Sequence, residues 1–209
     1  MEQVSQDGLK RLIDILFSSV ALIAFWPAFL ILFMLIKLED RGIVFYRPVR
    51  IGRYGEPFKM FKLRTMVPGA DKLGGPSTPA DDPRITKIGR LIRKLNLDEL
   101  AQFIDVFRGK MSIVGPRPEV AQYIALLKKE EKESILSVRP GITDWATLWI
   151  RDEGRILAGS LDPEKDYLEK IRPNKVLLQL KYVKGRSISG DISIMLQTLK
   201  VHFIDRFKR

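Results

Sequence analysis

The 209-residue sequence has no cysteine and a single histidine, His202. The first absence excludes disulfides, thiolate metal sites and a cysteine nucleophile. The second excludes a zinc site built from several histidines and argues against a Ser-His-Asp triad. The sequence also lacks internal repeats and low-complexity tracts, and its length suits one domain plus a membrane segment. Any chemistry therefore has to come from carboxylate, amine, guanidinium or hydroxyl groups.

Acidic residues are scarce relative to basic ones: 25 Asp and Glu stand against 36 Lys and Arg, which gives a formal net charge of +11. This excess indicates an anionic partner, such as a lipid surface, a nucleic acid or a phosphorylated small molecule. The chain has no helix-turn-helix, zinc-finger or RNA-binding signature, so we expect no nucleic acid. An anionic membrane lipid is the partner that the charge favours.

One long apolar run occupies residues 12–36, LIDILFSSVALIAFWPAFLILFMLI. A straight helix of this length would measure about 37 Å, against a bilayer core of about 30 Å. Pro27, near its middle, has no N–H to donate and disfavours a straight helix. The residues that flank the run are basic on both sides: Lys10, Arg11, Lys37 and Arg41. Because positive charge favours the cytoplasmic side, we predict a re-entrant helix–break–helix over residues 10–38. A spanning helix kinked at Pro27 is the alternative.

Residues 39–209 are predicted to form one cytosolic, membrane-associated domain of the α+β class, mainly helical. Short β-type runs around a turn at Gly52–Gly55 predict a hairpin. Residues 67–84, rich in Pro, Gly and Asp, predict a long mobile loop. Helical spacing follows over residues 85–107, where a new helix is expected to start at Asn96 with a capping box.

The second half of the domain alternates between turns and helices. Residues 112–119 predict a short strand, a rigid turn and, at Pro118, the start of a helix that runs to about residue 137. Pro140 and Gly141 stand in the order of a type II turn. Residues 151–166 predict an irregular loop. The C-terminal helix, Asp191 to Phe207, is predicted to pack in the core at its start and to lie on the membrane surface at its end.

Asp98 and Glu99, in RKLNLDEL, are the candidate catalytic pair. Acidic residues at a helix start also have a purely structural explanation, because the positive end of the helix dipole favours them. The same helix end can bind phosphate. Cations near turns are candidate phosphate ligands: Lys62, Arg64, Arg93, Arg117 and Arg139. Each of them alone is compatible with a solvated surface residue, whereas planar guanidinium groups suit bidentate binding of phosphate oxygens.

Five motifs follow one another along the chain, from about Lys10 to about Phe207: KRLIDILFSSVALIAFWPAFLI, VFYRPVRIGRYGEPFKMFKLRTM, DPRITKIGRLIRKLNLDEL, SIVGPRPE and VRPGIT. In this order and spacing they resemble the bacterial sugar transferase family, the monotopic polyprenol-phosphate phosphoglycosyl transferases. Larger members carry additional spanning helices before this core, so the chain resembles the minimal catalytic form. Pro27 matches the bend proline of the family, and Lys62 and Arg64 match its basic pair after the hairpin.

The resemblance implies a two-step reaction at the cytoplasmic face of the bacterial inner membrane. Asp98 would attack the β-phosphorus of a UDP-sugar and release UMP, and a polyprenol phosphate, in bacteria undecaprenyl phosphate, would then take the phosphosugar. Mg2+ would be held by Asp98 and Glu99, with Glu99 as metal ligand or proton acceptor. Arg93, Arg117 and Arg139 would offset the charge of the diphosphate. The product would start a cell-surface glycan, and a homodimer is left open.

Four positions depart from the pattern of the family. Trp26 stands where serine often precedes the bend proline, Ala101 where proline is usual, and Lys110 where aspartate is common. Asp144 replaces the usual glycine after RPGIT, which puts the sugar or nucleotide specificity in doubt. Two other functions stay open: a glycosyl transferase that releases UDP, and a non-catalytic basic scaffold anchored on anionic membranes.

Overall fold

A computed structural model describes the secondary structure of residues 2–150 and 152–203, and the side chains of residues 7–150 and 152–201. The helices and strands in these ranges follow one another in this order: α1 (Glu2–Asp40), β1 (Phe45–Tyr46), β2 (Val49–Ile51), β3 (Pro57–Lys59), β4 (Lys62–Leu63), α2 (Lys87–Lys94), a 3-10 helix (Leu97–Ala101), α3 (Gln102–Phe107), β5 (Ser112–Val114), α4 (Ala121–Ala125), α5 (Lys129–Leu136), β6 (Gly141–Thr143), α6 (Trp145–Ile150), α7 (Glu153–Ile156), α8 (Pro163–Asp166), a π turn (Tyr167–Ile171), α9 (Arg172–Gly185) and α10 (Ile188–Phe203). The predicted class, α+β and mainly helical, is confirmed.

The longest element is α1, which contains the whole apolar run in 39 residues. Its segment Asp7–Asp40 is long and apolar enough to cross a membrane, the single such helix among the described residues. Pro27 lies inside α1, and the helix continues through it. The predicted break into two helical segments is therefore not found. A proline removes one backbone hydrogen bond, a loss that a long helix can tolerate when it is packed on both sides of that position.

Both ends of α1 contact the same domain. Near its start, Arg11 donates hydrogen bonds to the carbonyl oxygens of Val106 and Phe107, at 2.6 and 2.7 Å. At its end, Asp40 accepts two hydrogen bonds from the guanidinium of Arg64, which follows β4 directly. Both ends of α1 are therefore fixed to the same domain, whereas residues 19–31 between them include no buried side chain.

The two faces of α1 differ in burial and in chemistry. Four residues on the inner face are buried: Asp14, Ser18, Leu32 and Ile36. The outer face presents large apolar side chains to the surroundings: Leu9, Leu12, Leu16, Phe17, Val20, Ile23, Trp26, Leu30, Ile31, Phe33, Met34 and Leu38. A contiguous apolar surface of this extent is typical of a site that contacts a membrane or another protein.

The hairpin predicted around Gly52–Gly55 is confirmed. Strands β2 and β3 pair antiparallel, with Val49 opposite Lys59. Outside them β1 and β4 pair in the same sense, with Phe45 opposite Leu63. Leu63 is buried in a small core with Ile92 and the end of α1, so the strands are fixed to this helix.

A two-stranded parallel sheet, β5 with β6, forms the centre of the domain. Residues of β5 share the main core with side chains from the hairpin, from α3 and the turn after it, and from the two C-terminal helices: Phe58, Val106, Met111, Tyr182 and Ile194. The type II turn predicted at Pro140–Gly141 is wrong, because Gly141 does not have the positive φ that this turn needs and instead opens β6. Glycine is required there for another reason. A Cβ at this position would lie 2.1 Å from the backbone nitrogen of Gly115.

Three further predictions about the second half need correction. The helix expected from Pro118 to about residue 137 is two helices, α4 and α5, separated at residues 126–128. The loop expected over residues 151–166 contains the short helices α7 and α8. Helix α10 begins at Ile188, before the predicted Asp191, and is described as far as Phe203; the predicted extension to Phe207 and the side chain of His202 lie outside the described residues.

The long loop predicted over residues 67–84 is confirmed apart from one 3-10 turn at Ala70–Lys72. It is fastened to the second half of the domain at several points. The backbone N–H of Ala80 donates to the carbonyl of Gly154 at 2.9 Å, and the hydroxyls of Ser77 and Tyr123 are 2.9 Å apart. These contacts join the loop to the second half of the domain; its predicted mobility stays a prediction.

Candidate active site

Asp98 lies at the start of the segment that follows α2. Asn96 adopts the left-handed conformation, with a φ of 52°, and turns the chain into the 3-10 helix that carries Asp98. The capping box predicted from Asn96 to Glu99 is wrong, because the Asn96 side chain makes no cap hydrogen bond. The left-handed residue is what reorients the chain, since asparagine tolerates this conformation better than most residues.

The carboxylate of Asp98 is buried and paired with an amine. Its side chain is 6% exposed, and its Oδ2 lies 2.9 Å from the Nζ of Lys62, on β4. The neighbouring Leu97 packs with Phe29 against the core that contains Leu32 and Ile36 of α1. Asp98 is therefore next in sequence to a residue that packs near α1.

Glu99 faces Arg117 in a two-pronged pair. The guanidinium NH1 is 3.1 Å from Oε2 and NH2 is 2.5 Å from Oε1, and NH1 also donates to the carbonyl of Ile142 at 2.7 Å. Burial by itself would lower the pKa of Arg117, but the charge and hydrogen bonds of Glu99 outweigh it and the pKa is raised. Arg117 is therefore a permanent cation held in a fixed orientation at this site.

Arg93 is a third cation near the two carboxylates. Its Nε donates to the hydroxyl of Thr65 at 2.8 Å, which orients the guanidinium. Burial lowers the pKa of Arg93, and the negative charges of Asp98 and Asp82 oppose that change. Arg93 thus lies within electrostatic reach of Asp98.

The structure brings together three of the five predicted phosphate ligands with the carboxylate pair, namely Lys62, Arg93 and Arg117. Arg64 is bound to Asp40 at the end of α1. Arg139 donates its Nε to the carbonyl of Gly109 at 3.0 Å and lies near Arg11. The sequence shows which residues are basic, but it does not show which group each of them contacts in the folded protein.

Sequence reasoning missed the groups that orient these cations. Thr65 and the carbonyl of Ile142 hold Arg93 and Arg117 in place. Thr65 belongs to the FKLRTM motif, three residues after Lys62, so its position was a usable signal. The contact with the carbonyl of Ile142 could not be predicted in this way, because every residue has a backbone carbonyl whatever its side chain.

Asp144, which departs from the family pattern, is fully buried at the start of α6. Its Oδ1 accepts hydrogen bonds from the backbone N–H and the hydroxyl of Thr147, both at 2.7 Å, while its Oδ2 has no hydrogen-bond partner. Burial raises the pKa of Asp144, against these hydrogen bonds and the charge of Arg117. The residue therefore caps a helix and adds negative charge behind Arg117.

The carboxylate pair is compatible with a magnesium ion. In the part of the chain that the structure describes, no group of three or more His, Cys, Asp or Glu side chains forms a metal cluster. Magnesium is usually bound by one or two protein carboxylates together with substrate phosphates and water, so Asp98 and Glu99 have the donor chemistry that it prefers.

Comparisons with known proteins agree on one family. The family model described as "Bacterial sugar transferase" matches residues 5–205. An "Exopolysaccharide production protein ExoY" from Sinorhizobium fredii is 35% identical, over 94% of this chain and 86% of the relative. A "UDP-glucose:undecaprenyl-phosphate glucose-1-phosphate transferase" from Escherichia coli is 35% identical, over 95% of this chain and 41% of that protein. An Aeromonas hydrophila protein named "UDP-N-acetylgalactosamine-undecaprenyl-phosphate N-acetylgalactosaminephosphotransferase" is 32% identical, over 92% and 43%. The chain thus spans most of ExoY but less than half of the other two.

Proposed function

Because the chain belongs to the bacterial sugar transferase family, we propose that it transfers a sugar phosphate from a UDP-sugar to undecaprenyl phosphate, with release of UMP. The names of similar proteins support the acceptor and the class of reaction. ExoY is named for exopolysaccharide production, which supports a role at the start of surface-glycan synthesis.

The observation that carries this proposal is the surroundings of the two adjacent carboxylates. Asp98 and Glu99 lie among three cations, Lys62, Arg93 and Arg117. Such a site suits a substrate that carries several negative charges near one attacking carboxylate. Two like charges about 4 Å apart repel by roughly 4 kcal/mol at an effective dielectric of 20, so a carboxylate needs nearby cations to approach a diphosphate.

In the proposed first step an oxygen of Asp98 forms a bond to the β-phosphorus of the UDP-sugar. The bond from this phosphorus to the bridging oxygen breaks, and UMP leaves with the electron pair. The product on the protein is an acyl phosphate, which is reactive enough to pass the group on. In the second step a phosphate oxygen of the polyprenol phosphate attacks the same phosphorus and releases the Asp98 carboxylate.

The cations have different tasks in this scheme. Lys62 is paired with Asp98 before the donor binds and can move to a phosphate oxygen afterwards. Arg117 and Arg93 stabilise charge that builds up on the leaving UMP. Magnesium held by Asp98 and Glu99 would supply further positive charge for the diphosphate.

We also propose that α1 is re-entrant: it bends at Pro27 without an interruption of the helix, so that both of its ends lie on the same side of the membrane. A helix that crosses the bilayer places its two ends about 30 Å apart on opposite sides. Here Arg11 and Asp40, near the two ends, both contact the same polar domain, which supports a common side. The apolar outer face of α1 would then rest in the leaflet. Basic residues at both ends favour the cytoplasmic face of the inner membrane, and an anionic lipid surface would complement the net charge of +11.

The proposed reaction is tested by the nucleotide that it releases. Purified protein is incubated with a panel of UDP-sugars, Mg2+ and undecaprenyl phosphate, and UMP and UDP are separated by chromatography. We expect UMP with at least one donor. Release of UDP would instead establish a glycosyl transferase that moves the sugar without its phosphate.

A further inference from the structure

Tyr46 and Arg50 lie beside the candidate active site, and the proposed reaction gives neither of them a task. Tyr46 ends β1 and stands directly opposite Lys62 in the β1–β4 pair. Directly opposite residues of an antiparallel pair have their side chains on the same face, with Cβ atoms about 5 Å apart. Because Lys62 pairs with Asp98, the phenol of Tyr46 is next to the cation that accompanies the proposed nucleophile.

The ring of Tyr46 is accessible and makes no specific contact. The residue is 42% exposed, and within the described ranges its hydroxyl has no hydrogen-bond partner and its ring no aromatic or cationic partner. The preceding aromatic residue differs, because Phe45 packs edge to face on Phe61 with the ring centroids 5.7 Å apart. Tyr46 therefore presents a free aromatic face close to a cluster of cations.

Arg50, four residues further on in β2, is a cation without a directly bound counter-ion. Among the described residues its guanidinium makes a single hydrogen bond, from NH1 to the carbonyl of Val49 at 3.0 Å, and no ion pair. The residue is half-buried and this hydrogen bond lies at the exposed surface, so a ligand can reach the group. A guanidinium with Nε and NH2 available is suited to two oxygens of one phosphate group.

Strand β2 holds Arg50 next to the segment that carries Arg117. The backbone N–H of Ile51 donates to the carbonyl of Glu119, two residues after Arg117, at 2.9 Å. Burial lowers the pKa of Arg50, and the charge of Glu119 and the phenol of Tyr46 oppose this change. The charge of Arg117 lowers the pKa further. Because such effects fall off with distance, these groups are neighbours of Arg50.

The nearby carboxylate of Glu119 is already engaged by other residues. It lies 2.5 Å from the Nζ of Lys175 and accepts a hydrogen bond from the hydroxyl of Tyr167 at 3.1 Å. The charge of Arg117 is likewise engaged, by Glu99. Arg50 is therefore available to an added anion at the edge of the site.

We propose that Tyr46 and Arg50 bind the nucleotide half of the donor, with the uracil stacked on the phenol ring and the α-phosphate held by the guanidinium. This inference rests on the proposed function, which makes a UDP-sugar the donor. In that molecule one oxygen joins the α-phosphate to the β-phosphorus, and the ribose and the uracil follow. An α-phosphate beside Arg117, where charge builds up on the leaving UMP, is also next to Arg50, and the base then lies against Tyr46.

The test measures the binding of two probes to the full chain in detergent with Mg2+, by equilibrium dialysis. UMP has both the base and the phosphate, whereas ribose 5-phosphate has the phosphate without the base. Tyr46→Leu should weaken UMP about tenfold, because the stacking surface is lost, and should leave ribose 5-phosphate unchanged. Arg50→Gln should weaken both probes about tenfold, because a charged hydrogen bond to the phosphate is lost.

Matched variants separate these effects from a general disturbance of the hairpin. Tyr46→Phe keeps the ring and should bind UMP as the wild type does. Tyr54→Leu removes another exposed tyrosine of the same hairpin and should also leave UMP binding unchanged. Arg172→Gln is the control for Arg50, since Arg172 is half-buried and donates to one backbone carbonyl, that of Tyr123, at 2.9 Å. Thermal unfolding of each variant confirms that it is folded.

Wild-type affinity for UMP in either Tyr46→Leu or Arg50→Gln would overturn the proposal, and so would a wild-type protein that does not bind UMP. An equal loss of both probes in Tyr46→Leu would overturn the contact between the ring and the base. No bond is broken in the dialysis, so the result does not depend on catalysis. Release of UDP in the product assay, together with the expected losses of UMP binding, would contradict the proposed reaction alone. Release of UMP with unchanged binding in both variants would contradict the nucleotide site alone.

Discussion

The Nζ of Lys62 lies 2.9 Å from Oδ2 of Asp98, so the proposed nucleophile has a counter-ion before any substrate binds. The two residues come from different elements, since Lys62 belongs to β4 and Asp98 to the 3-10 helix after α2. The hairpin and the helical segment therefore meet at this pair. A lysine in this place sets a positive charge beside the carboxylate and has a flexible side chain that can move to a phosphate oxygen.

Replacing Lys62 tests its part in the first step. Lys62→Met should slow formation of the phosphosugar adduct about 10- to 100-fold, because a hydrogen bond between charged groups is lost and Asp98 is left buried without its cation. Quenched-flow sampling of UMP release with excess enzyme measures this step. Lys59→Met, at an exposed position on β3, is the control. Unchanged single-turnover kinetics in the Lys62 variant would contradict the assigned role.

The shape of Arg117 should matter as much as its charge. Arg117→Lys keeps a cation but loses the two-pronged contact with Glu99 and the bond to the carbonyl of Ile142. We expect kcat/KM to fall about 100-fold, with little change for Arg172→Lys. A lysine variant with full activity would show that a point charge at this position is sufficient.

The contact of Arg64 with Asp40 should stabilise the junction between α1 and the domain. Arg64 is 7% exposed, so Asp40→Asn leaves a nearly buried guanidinium without its counter-ion. Asp40 is 26% exposed and partly screened, so the loss in the free energy of unfolding is expected to be about 1–3 kcal/mol. Denaturant unfolding in detergent measures it. Asp71→Asn, at an exposed position, is the control. Equal free energies of unfolding for Asp40→Asn and Asp71→Asn would contradict the stabilising role of the Arg64–Asp40 contact.

Asp144 predicts a specific dependence of stability on pH. Burial raises its pKa above the ordinary value of 3.8, so the folded protein holds this proton more tightly than the unfolded chain. At a pH below the pKa of Asp144 in the unfolded chain, this carboxyl is protonated in both the folded and the unfolded state. Its burial then carries no penalty for burying a charge. As the pH rises through the folded pKa, the wild type loses stability because it must bury the charge, whereas Asp144→Asn does not.

The unfolding temperature of Asp144→Asn, relative to the wild type, should therefore increase from about pH 3.5 towards neutral pH. Asparagine is also a good helix cap, so the capping of α6 is retained. Asp71→Asn should show no such trend. A constant difference between Asp144→Asn and the wild type at all pH values would mean that Asp144 is not buried as a charge.

Local features of the fold were predictable, and distant contacts were not. The apolar run is visible in the composition of residues 12–36, and the β2–β3 hairpin is indicated by the turn residues between its two strands. The parallel pairing of β5 with β6 joins Ser112 to Gly141 and depends on the close approach of Gly115 and Gly141, which no local pattern reveals. The continuity of α1 through Pro27 depends likewise on packing at both ends of the helix.

The same distinction applies to the candidate site. Asp98 and Glu99 are adjacent in sequence and were found by their motif. Arg64 and Arg139 looked equivalent to Arg117 because each is a basic residue near a turn. Only the tertiary structure shows that Arg64 pairs with Asp40 and that Arg139 donates to the carbonyl of Gly109.

The central claim is that a phosphosugar becomes covalently attached to Asp98, and intact-protein mass spectrometry tests it most directly. Wild-type protein mixed with its UDP-sugar and Mg2+, without acceptor, should gain the mass of one sugar phosphate and release one UMP per chain. Asp98→Asn, shown by its unfolding temperature to be folded, should show neither the adduct nor turnover. An Asp98→Asn protein that still acquires the adduct, or still turns over at the wild-type rate, would contradict the account.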